Sequence, residues 1–203
     1  MQSFAVLSLA TLAAAGTIPI GGSPDPSQVH IKEITYGGTG CPPNSVSVAM
    51  SEDATTFTLI FDQFVAASGA GLGPKDNRKN CQVNVDLRYP QGFSYTVNTI
   101  DYRGYVNAPA GVTAVQKANY YFAGETAQIA SETRFVGPVS KDYLTSNRID
   151  LAAMVWSKCG VVARGNVNAQ VRLEGDLTKS AQITVDSIDG KVKQIYGLSW
   201  KKC

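Results

Sequence analysis

The stretch NVNAQVRLEG, residues 166–175, decides the fold class of this chain. Apolar residues occupy every second position from Val167 to Leu173, and the positions between and after them are polar: Asn168, Gln170, Arg172 and Glu174. Successive side chains of a strand point to opposite faces of its sheet. The stretch therefore predicts a β-strand with one face in the core and the other in water.

Ten further runs continue this pattern along the chain. Each is rich in Val, Ile, Thr, Tyr or Phe and bounded by turn-forming residues, which is typical of strands; they cover residues 29–36, 45–50, 55–64, 81–90, 93–100, 113–122, 132–137, 149–159, 181–188 and 194–200. With 203 residues, 44% of them hydrophobic, the chain can bury one substantial core. We predict an all-β fold, an antiparallel, jelly-roll-like β-sandwich of about ten strands with two disulfides and little helix.

One of these runs also fits a helix. In SNRIDLAAMVW, residues 146–156, the residues Ile149, Ala152, Ala153 and Trp156 have helical spacing. The run continues into a cysteine and a glycine turn, so a strand over residues 149–159 is favoured over a helix.

The amino-terminal residues differ in composition from the rest of the chain. Residues 1–15 are predominantly apolar and end in three alanines, which predicts a secretory signal peptide and an extracellular location. Residues 16–28 are rich in Pro, Gly and Ser and predict a flexible arm. Residues 29–203 then form a single β-sandwich domain.

The four cysteines predict two disulfides, because a secreted chain folds in an oxidising compartment. Three pairings are possible. Cys41–Cys81 with Cys159–Cys203 is favoured, since it keeps each bridge within one half of the chain and closes loops of similar length. Metal binding is not expected, because no CxxC is present and the chain has a single histidine.

The first cysteine lies in YGGTGCP, residues 36–42, which resembles a phosphate-binding loop in its glycine content. A phosphate loop needs a helix after it, whereas the next run is the alternating SVSVAM. The glycines are therefore interpreted as a chain reversal in a first hairpin, tied to the sheet by Cys41.

The charge balance excludes several partner classes. A net charge of +2, from 18 basic and 16 acidic residues, implies neither nucleic acid nor membrane insertion. The densest basic stretch, GPKDNRKN at residues 73–80, is interpreted as a solvated loop. We expect a monomer that needs no cofactor.

No set of residues predicts catalysis. His30, between Val29 and Ile31 in an alternating run, is expected to face solvent. Catalysis by a pair of carboxylates remains an alternative, because glycosidases need only two acids. The candidate acids are Glu52, Asp53, Asp62, Asp86, Asp101, Glu174, Asp186 and Asp189. Asp186 and Asp189 are a candidate acid pair or calcium site, but the Asp189-Gly190 dipeptide favours a hairpin turn.

The aromatic residues suggest a binding surface instead. Most should pack in the core, and in NYYF at residues 119–122 Tyr121 must face opposite to its two aromatic neighbours. Tyr102, Arg103 and Tyr105, in DYRGYV, are the candidate exposed ligand-binding residues.

A set of blocks in fixed order resembles a known family. The blocks are GTGCP (38–42), SVSV (45–48), NRKNC (77–81), DYRGY (101–105), VGP (136–138), WSKCG (156–160), VDSID (185–189) and LSWKKC (198–203). They resemble the secreted family called "domain of unknown function 4360", found in fungi and bacteria. The resemblance agrees with a β-rich protein with two disulfides, and it implies no catalytic residues.

These observations lead to one hypothesis and two alternatives. The first is a secreted, non-enzymatic protein that binds a host or cell-wall component, an extracellular protein or polysaccharide; in this hypothesis it is a fungal effector that engages a host extracellular protein, for example as a protease inhibitor. The alternatives are a polysaccharide-active hydrolase that uses paired carboxylates and a carbohydrate-binding module.

Overall fold

A computed structural model describes residues 22–160, 162–185 and 194–203, and strands dominate these ranges. In chain order the strands are β1 (His30–Gly37), β2 (Val46–Met50), β3 (Thr56–Phe61), β4 (Val65–Ser68), β5 (Arg78–Arg88), β6 (Phe93–Ala108), β7 (Val112–Phe122), β8 (Gln128–Val136), β9 (Val139–Arg148), β10 (Ala163–Gly175), β11 (Ala181–Thr184) and β12 (Gln194–Lys202). One turn of helix, α1 (Pro74–Asn77), precedes β5, and 3-10 turns occupy Pro26–Gln28 and Leu151–Ala153. No helix in the described ranges is long and apolar enough to cross a membrane. The predicted all-β class with little helix is confirmed.

All strand pairs are antiparallel, and they form two sheets. The five-stranded sheet has the order β1-β5-β10-β7-β8. The seven-stranded sheet has the order β2-β3-β12-β6-β11-β4, with β9 also paired to β6. The predicted β-sandwich is therefore confirmed, with twelve strands in the described residues.

The core lies between the inner faces of the two sheets. In β10, Val167, Ala169 and Val171 are fully buried, as their alternation predicts. Aromatic rings join the sheets: the ring of Tyr95, on β6, lies 5.1 Å from that of Phe122, on β7, in an edge-to-face arrangement. Such pairs stabilise the packing beyond the area that they bury.

Both predicted disulfides are present. Cys41 is bonded to Cys81, and Cys159 is bonded to Cys203. The first bridge ties the segment after β1 to β5. The second ties the connection between β9 and β10 to the end of the chain.

The YGGTGCP segment is not the reversal of a hairpin. Strand β1 belongs to the five-stranded sheet and β2 to the other, so the segment connects the two sheets. Gly38 has a φ of 151°, and a Cβ at this position would collide with the carbonyl oxygen of Asn80. Glycine is needed because the crossing chain lies directly against β5.

Two further predictions of local structure are wrong. Residues 149–159 contain a 3-10 turn at Leu151–Ala153 followed by irregular chain, not a strand. Residues 73–80 are not a loop, because α1 and the first residues of β5 occupy them. Here the backbone pairs Arg78 with Arg172 of β10, which the charges alone could not indicate.

Several predictions fall on residues outside the described ranges. These are the signal peptide at residues 1–15, part of the arm at residues 16–28, and the pair Asp186 and Asp189. The described part of the arm includes the 3-10 turn Pro26–Gln28, where Asp25 accepts a hydrogen bond from the Ser27 amide. The strands β11 and β12 do not form the expected hairpin with each other, because both pair antiparallel with β6.

Candidate ligand-binding site

The three residues predicted to bind ligand do not share a surface. Tyr102 is 1% exposed and points into the core, so its prediction as an exposed residue is wrong. Burial raises the pKa of its hydroxyl. Arg103 is exposed and Tyr105 is partly exposed, on the outer side of the seven-stranded sheet. Strand alternation separates Tyr102 from Arg103, since neighbouring residues face opposite sides.

A larger polar surface lies on the outer side of the five-stranded sheet. Three rows of side chains run across β7, β10 and β5, and each row is defined by residues that pair in register. The rows are Asn119–Asn168–Gln82, then Lys117–Gln170–Asn80, then Val115–Arg172–Arg78. We call these three rows the amide face, because Asn and Gln make up five of its nine positions.

A shallow depression of about 490 Å³ lies on the amide face. It is lined by Arg78, Lys117, Asn119, Tyr121, Gln128, Asn168, Gln170 and Arg172. Tyr121 faces opposite to the buried Tyr120 and Phe122, as its position in NYYF predicts. The lining therefore combines hydrogen-bonding groups with one partly exposed aromatic ring.

Hydrogen bonds within β5 and between neighbouring strands orient the amide groups. Asn168 Nδ2 donates to Gln82 Oε1 at 2.9 Å, and Gln82 Nε2 donates to Asn84 Oδ1 at 3.4 Å. Asn84 Nδ2 in turn donates to Thr35 Oγ1 at 2.9 Å. These bonds fix the side chains before any ligand arrives, which reduces the entropy lost on binding.

Asn119 is the exception in this network. Its Oδ1 is buried but has no hydrogen-bond partner among the described residues. A buried acceptor without a partner costs about 1–3 kcal/mol. Asn119 therefore keeps an acceptor that no described residue satisfies, and because the atom is buried, only a rotation of the side chain would present it to a ligand.

Two glutamates and two arginines form an ionic cluster beside the depression. Arg134 bonds both Glu132 and Glu174, and Arg172 Nε bonds Glu174 Oε1 at 2.6 Å. The two arginines flank Val115 in register, and Val115 is fully buried although it faces outward. The aliphatic parts of long charged side chains commonly cover apolar surface in this way.

Two of the candidate acids, Glu174 and Asp86, lack the property that the general acid of a glycosidase needs. Hydrogen bonds from Arg172 and Arg134 lower the pKa of Glu174, whereas a general acid needs a raised pKa. A two-point ion pair with Arg164, at 2.8 and 3.0 Å, likewise lowers the pKa of Asp86. His30 is exposed, as predicted. Among the described residues, no three His, Cys, Asp or Glu side chains cluster as metal ligands would.

The sequence indicated only one strand of the amide face. The alternation of β10 predicted that Asn168, Gln170 and Arg172 face water. The positions of Gln82, Asn119 and Lys117 beside them depend on strand order and register, which bring together residues far apart in the chain. The only local signal is that the polar positions of β10 hold amides as well as charges.

These features define the class: a disulfide-bonded, all-β protein of two antiparallel sheets, one of which carries an amide-rich outer face. The model of the family described as Domain of unknown function (DUF4360) matches residues 27–203, and the chain belongs to this family. The resemblance of its sequence blocks is thereby confirmed.

The chain is also similar to an uncharacterized secreted protein of Arthroderma benhamiae. The two are 47% identical over 184 residues, which is 90% of this chain and 75% of the relative. Among solved structures, the enzymatically active domain of bacteriophage CBA120 tailspike protein 4 aligns with 86% of this chain and 20% of its own. The TM-score of this alignment is 0.30 and the sequence identity is 14%.

Proposed function

We propose that this protein is a secreted, non-enzymatic binding protein that holds an extracellular polysaccharide on its amide face. Secretion is supported by the apolar segment at residues 1–15 and by the secreted relative. Binding rather than hydrolysis is supported by Glu174 and Asp86, whose carboxylates are already bound by arginines.

The observation that carries the proposal is the ordered array of amide groups across three strands. An amide carries two donor hydrogens and an acceptor oxygen, so it can bond the neighbouring hydroxyls of a sugar. Asn168 and Gln82 are held in place by their mutual bond, and Asn119 has an unused acceptor. Tyr121 adds a ring surface against which the apolar face of a sugar can pack.

The composition of this face favours polysaccharide over protein. Centres of protein interfaces depend on buried aromatic and apolar anchors. The exposed large apolar side chains of the described residues lie outside the three rows; they are Leu72, Val136, Leu144, Leu151 and Val162. The three rows thus offer a protein partner no exposed large apolar anchor, and the ring of Tyr121 is the one aromatic group among the described residues that line the depression.

The test is retention of the purified, disulfide-intact protein on a panel of insoluble cell-wall polysaccharides. We expect retention by at least one polysaccharide, and about a thirtyfold weaker affinity in the double variant Asn119→Ala/Asn168→Ala, since each net hydrogen bond contributes roughly 1 kcal/mol. Asn107→Ala is the matched control, because Asn107 is exposed on the other sheet. Absence of retention on every polysaccharide would refute the proposal.

A second candidate is the effector hypothesis, in which the partner is a host extracellular protein. Its support is Leu144, which is 66% exposed on β9 and pairs in register with Arg103. A pull-down from host extracellular fluid, run beside the polysaccharide panel, tests this candidate. It compares the parent protein with the variant Leu144→Asp. Capture of a protein that this substitution abolishes would favour the second candidate.

A further inference from the structure

The charges on the amide face are unevenly distributed. At one end of the face, Arg78, Lys117, Arg134 and Arg172 surround two carboxylates, those of Glu132 and Glu174. Two positive charges therefore remain uncompensated in a chain whose net charge is only +2. The depression itself is lined by three cations and no carboxylate.

Two of these cations form no ion pair with a described carboxylate. Arg172 and Arg134 are bound to Glu174 and Glu132. Arg78 and Lys117 form no ion pair within 4.0 Å of any described residue. Both nevertheless line the depression.

The register makes this arrangement unfavourable in the absence of a ligand. Arg78 and Arg172 are direct cross-strand neighbours, and like charges in this position destabilise a sheet. Lys117, in the next row, pairs in register with Gln170 on one side and with Glu132 of β8 on the other, and it forms no ion pair with this glutamate. An anion in the depression would compensate Arg78 and Lys117, the two lining cations that no described carboxylate binds.

We propose that the polysaccharide bound by the amide face carries carboxylates, that is, uronic acid residues, and that Arg78 and Lys117 bind them. This inference rests on the proposed function and specifies its ligand. A uronate presents a planar carboxylate and several hydroxyls on one ring. The guanidinium group of arginine matches a carboxylate with two parallel hydrogen bonds, and the amides of the neighbouring rows match the hydroxyls.

The spacing of the rows suits such a ligand. Side chains of one strand that face the same side of the sheet are two residues apart, which is about 7 Å along the strand. The amide row of Asn168 and Asn119 is therefore adjacent to the row of Lys117. A single sugar ring can contact an amide of one row with its hydroxyls and the cation of the next with its carboxylate.

The experiment compares four soluble probes in a binding assay with the disulfide-intact protein. The probes are polygalacturonate, the same polymer with its carboxylates methyl-esterified, a neutral β-glucan and dextran sulfate. We expect polygalacturonate to bind at least tenfold more tightly than its methyl ester. Its affinity should fall as salt rises from about 0.03 to about 0.3 M, since exposed charges are screened over this range.

Substitutions of Arg78 and Lys117 test whether these two side chains bind the carboxylates of the polymer. Arg78→Gln and Lys117→Gln should each weaken polygalacturonate binding about fivefold, the upper range for one exposed ion pair. Neither side chain is in an ion pair with the described residues, so neither variant should lower the melting temperature of the parent. Arg103→Gln, which removes an exposed arginine from the other sheet, should bind like the parent.

The outcomes distinguish this inference from the proposed function. Equal binding of polygalacturonate and its methyl ester would overturn the inference, whereas binding that still depends on Asn119 and Asn168 would leave the proposed function standing. Another outcome is that dextran sulfate binds as tightly as polygalacturonate in this assay. If Arg103→Gln then weakens its binding as much as Arg78→Gln does, the attraction is non-specific and the inference is overturned. Failure of all four probes, together with the insoluble panel, would refute the proposed function itself.

Discussion

At the scale of single residues, the core contains a polar side chain that the fold does not satisfy. Gln116 lies on the inner side of β7 and is 1% exposed. Neither its Oε1 nor its Nε2 has a partner among the described residues. Its neighbours on the inner face of the strand are Ala114 and Ala118, which offer no polar side chain.

We predict that Gln116→Met stabilises the protein. Methionine has a similar shape and no polar group to desolvate, so the free energy of unfolding should rise by about 1–2 kcal/mol. Chemical denaturation of both proteins measures the change. Gln128→Met, at an exposed position, is the control and should be neutral. A loss of stability in Gln116→Met would show that ordered water satisfies the glutamine.

At the scale of elements, β6 organises the seven-stranded sheet. Its 16 residues pair with β12, β9 and β11. Gly104 lies where these pairings meet, and a Cβ there would collide with the carbonyl oxygen of Thr184 and lie 2.7 Å from the hydroxyl of Tyr143. That hydroxyl donates to the same carbonyl at 2.7 Å.

We predict that Gly104→Ala is destabilising. The added methyl group has no space and must displace β11 or the Tyr143 hydroxyl, which should cost about 1–3 kcal/mol. The melting temperature measures the effect, with Gly37→Ala as the control, because a Cβ at Gly37 meets nothing within 4 Å. Equal melting temperatures of the two variants would contradict the crowding at Gly104.

The strand predictions succeeded and failed for identifiable reasons. Ten of the eleven predicted runs overlap strands, because their alternation reflects one buried face. The sequence missed β4, which has only four residues, and β9, an exposed strand with Tyr143 as its single buried side chain. A strand with so little buried surface carries no clear alternation. Residues 149–159 are apolar but pack as irregular chain, which composition does not distinguish from a strand.

At the scale of the whole molecule, the two disulfides connect segments that are distant in the chain. Cys41–Cys81 spans 40 residues and Cys159–Cys203 spans 44. The first holds the sheet-to-sheet connection after β1 against β5. The second holds the irregular chain before β10 against the carboxyl end.

We predict that removal of either bridge lowers stability strongly. For loops of this length, the chain-entropy model gives a loss of about 4 kcal/mol for each of the double variants Cys41→Ala/Cys81→Ala and Cys159→Ala/Cys203→Ala. Denaturant unfolding under non-reducing conditions measures it. Thiol labelling of the unreduced, denatured parent is the control and should detect no free cysteine. Labelling of all four would contradict both bridges.

The sequence by itself determined the all-β class, most of the strands and the polar side of β10, and it favoured the disulfide pairing that the structure contains. These properties depend on the local alternation of apolar residues and on the number and spacing of cysteines. Only the tertiary structure decided that Tyr102 is buried, that YGGTGCP connects two sheets and that Arg78 lies beside Arg172. The physical reason is that sheet membership and register are set by pairing between distant segments, and a shift of one residue moves a side chain to the opposite face. The amide face, with the binding function proposed for it, exists only once that pairing has placed β5, β10 and β7 side by side.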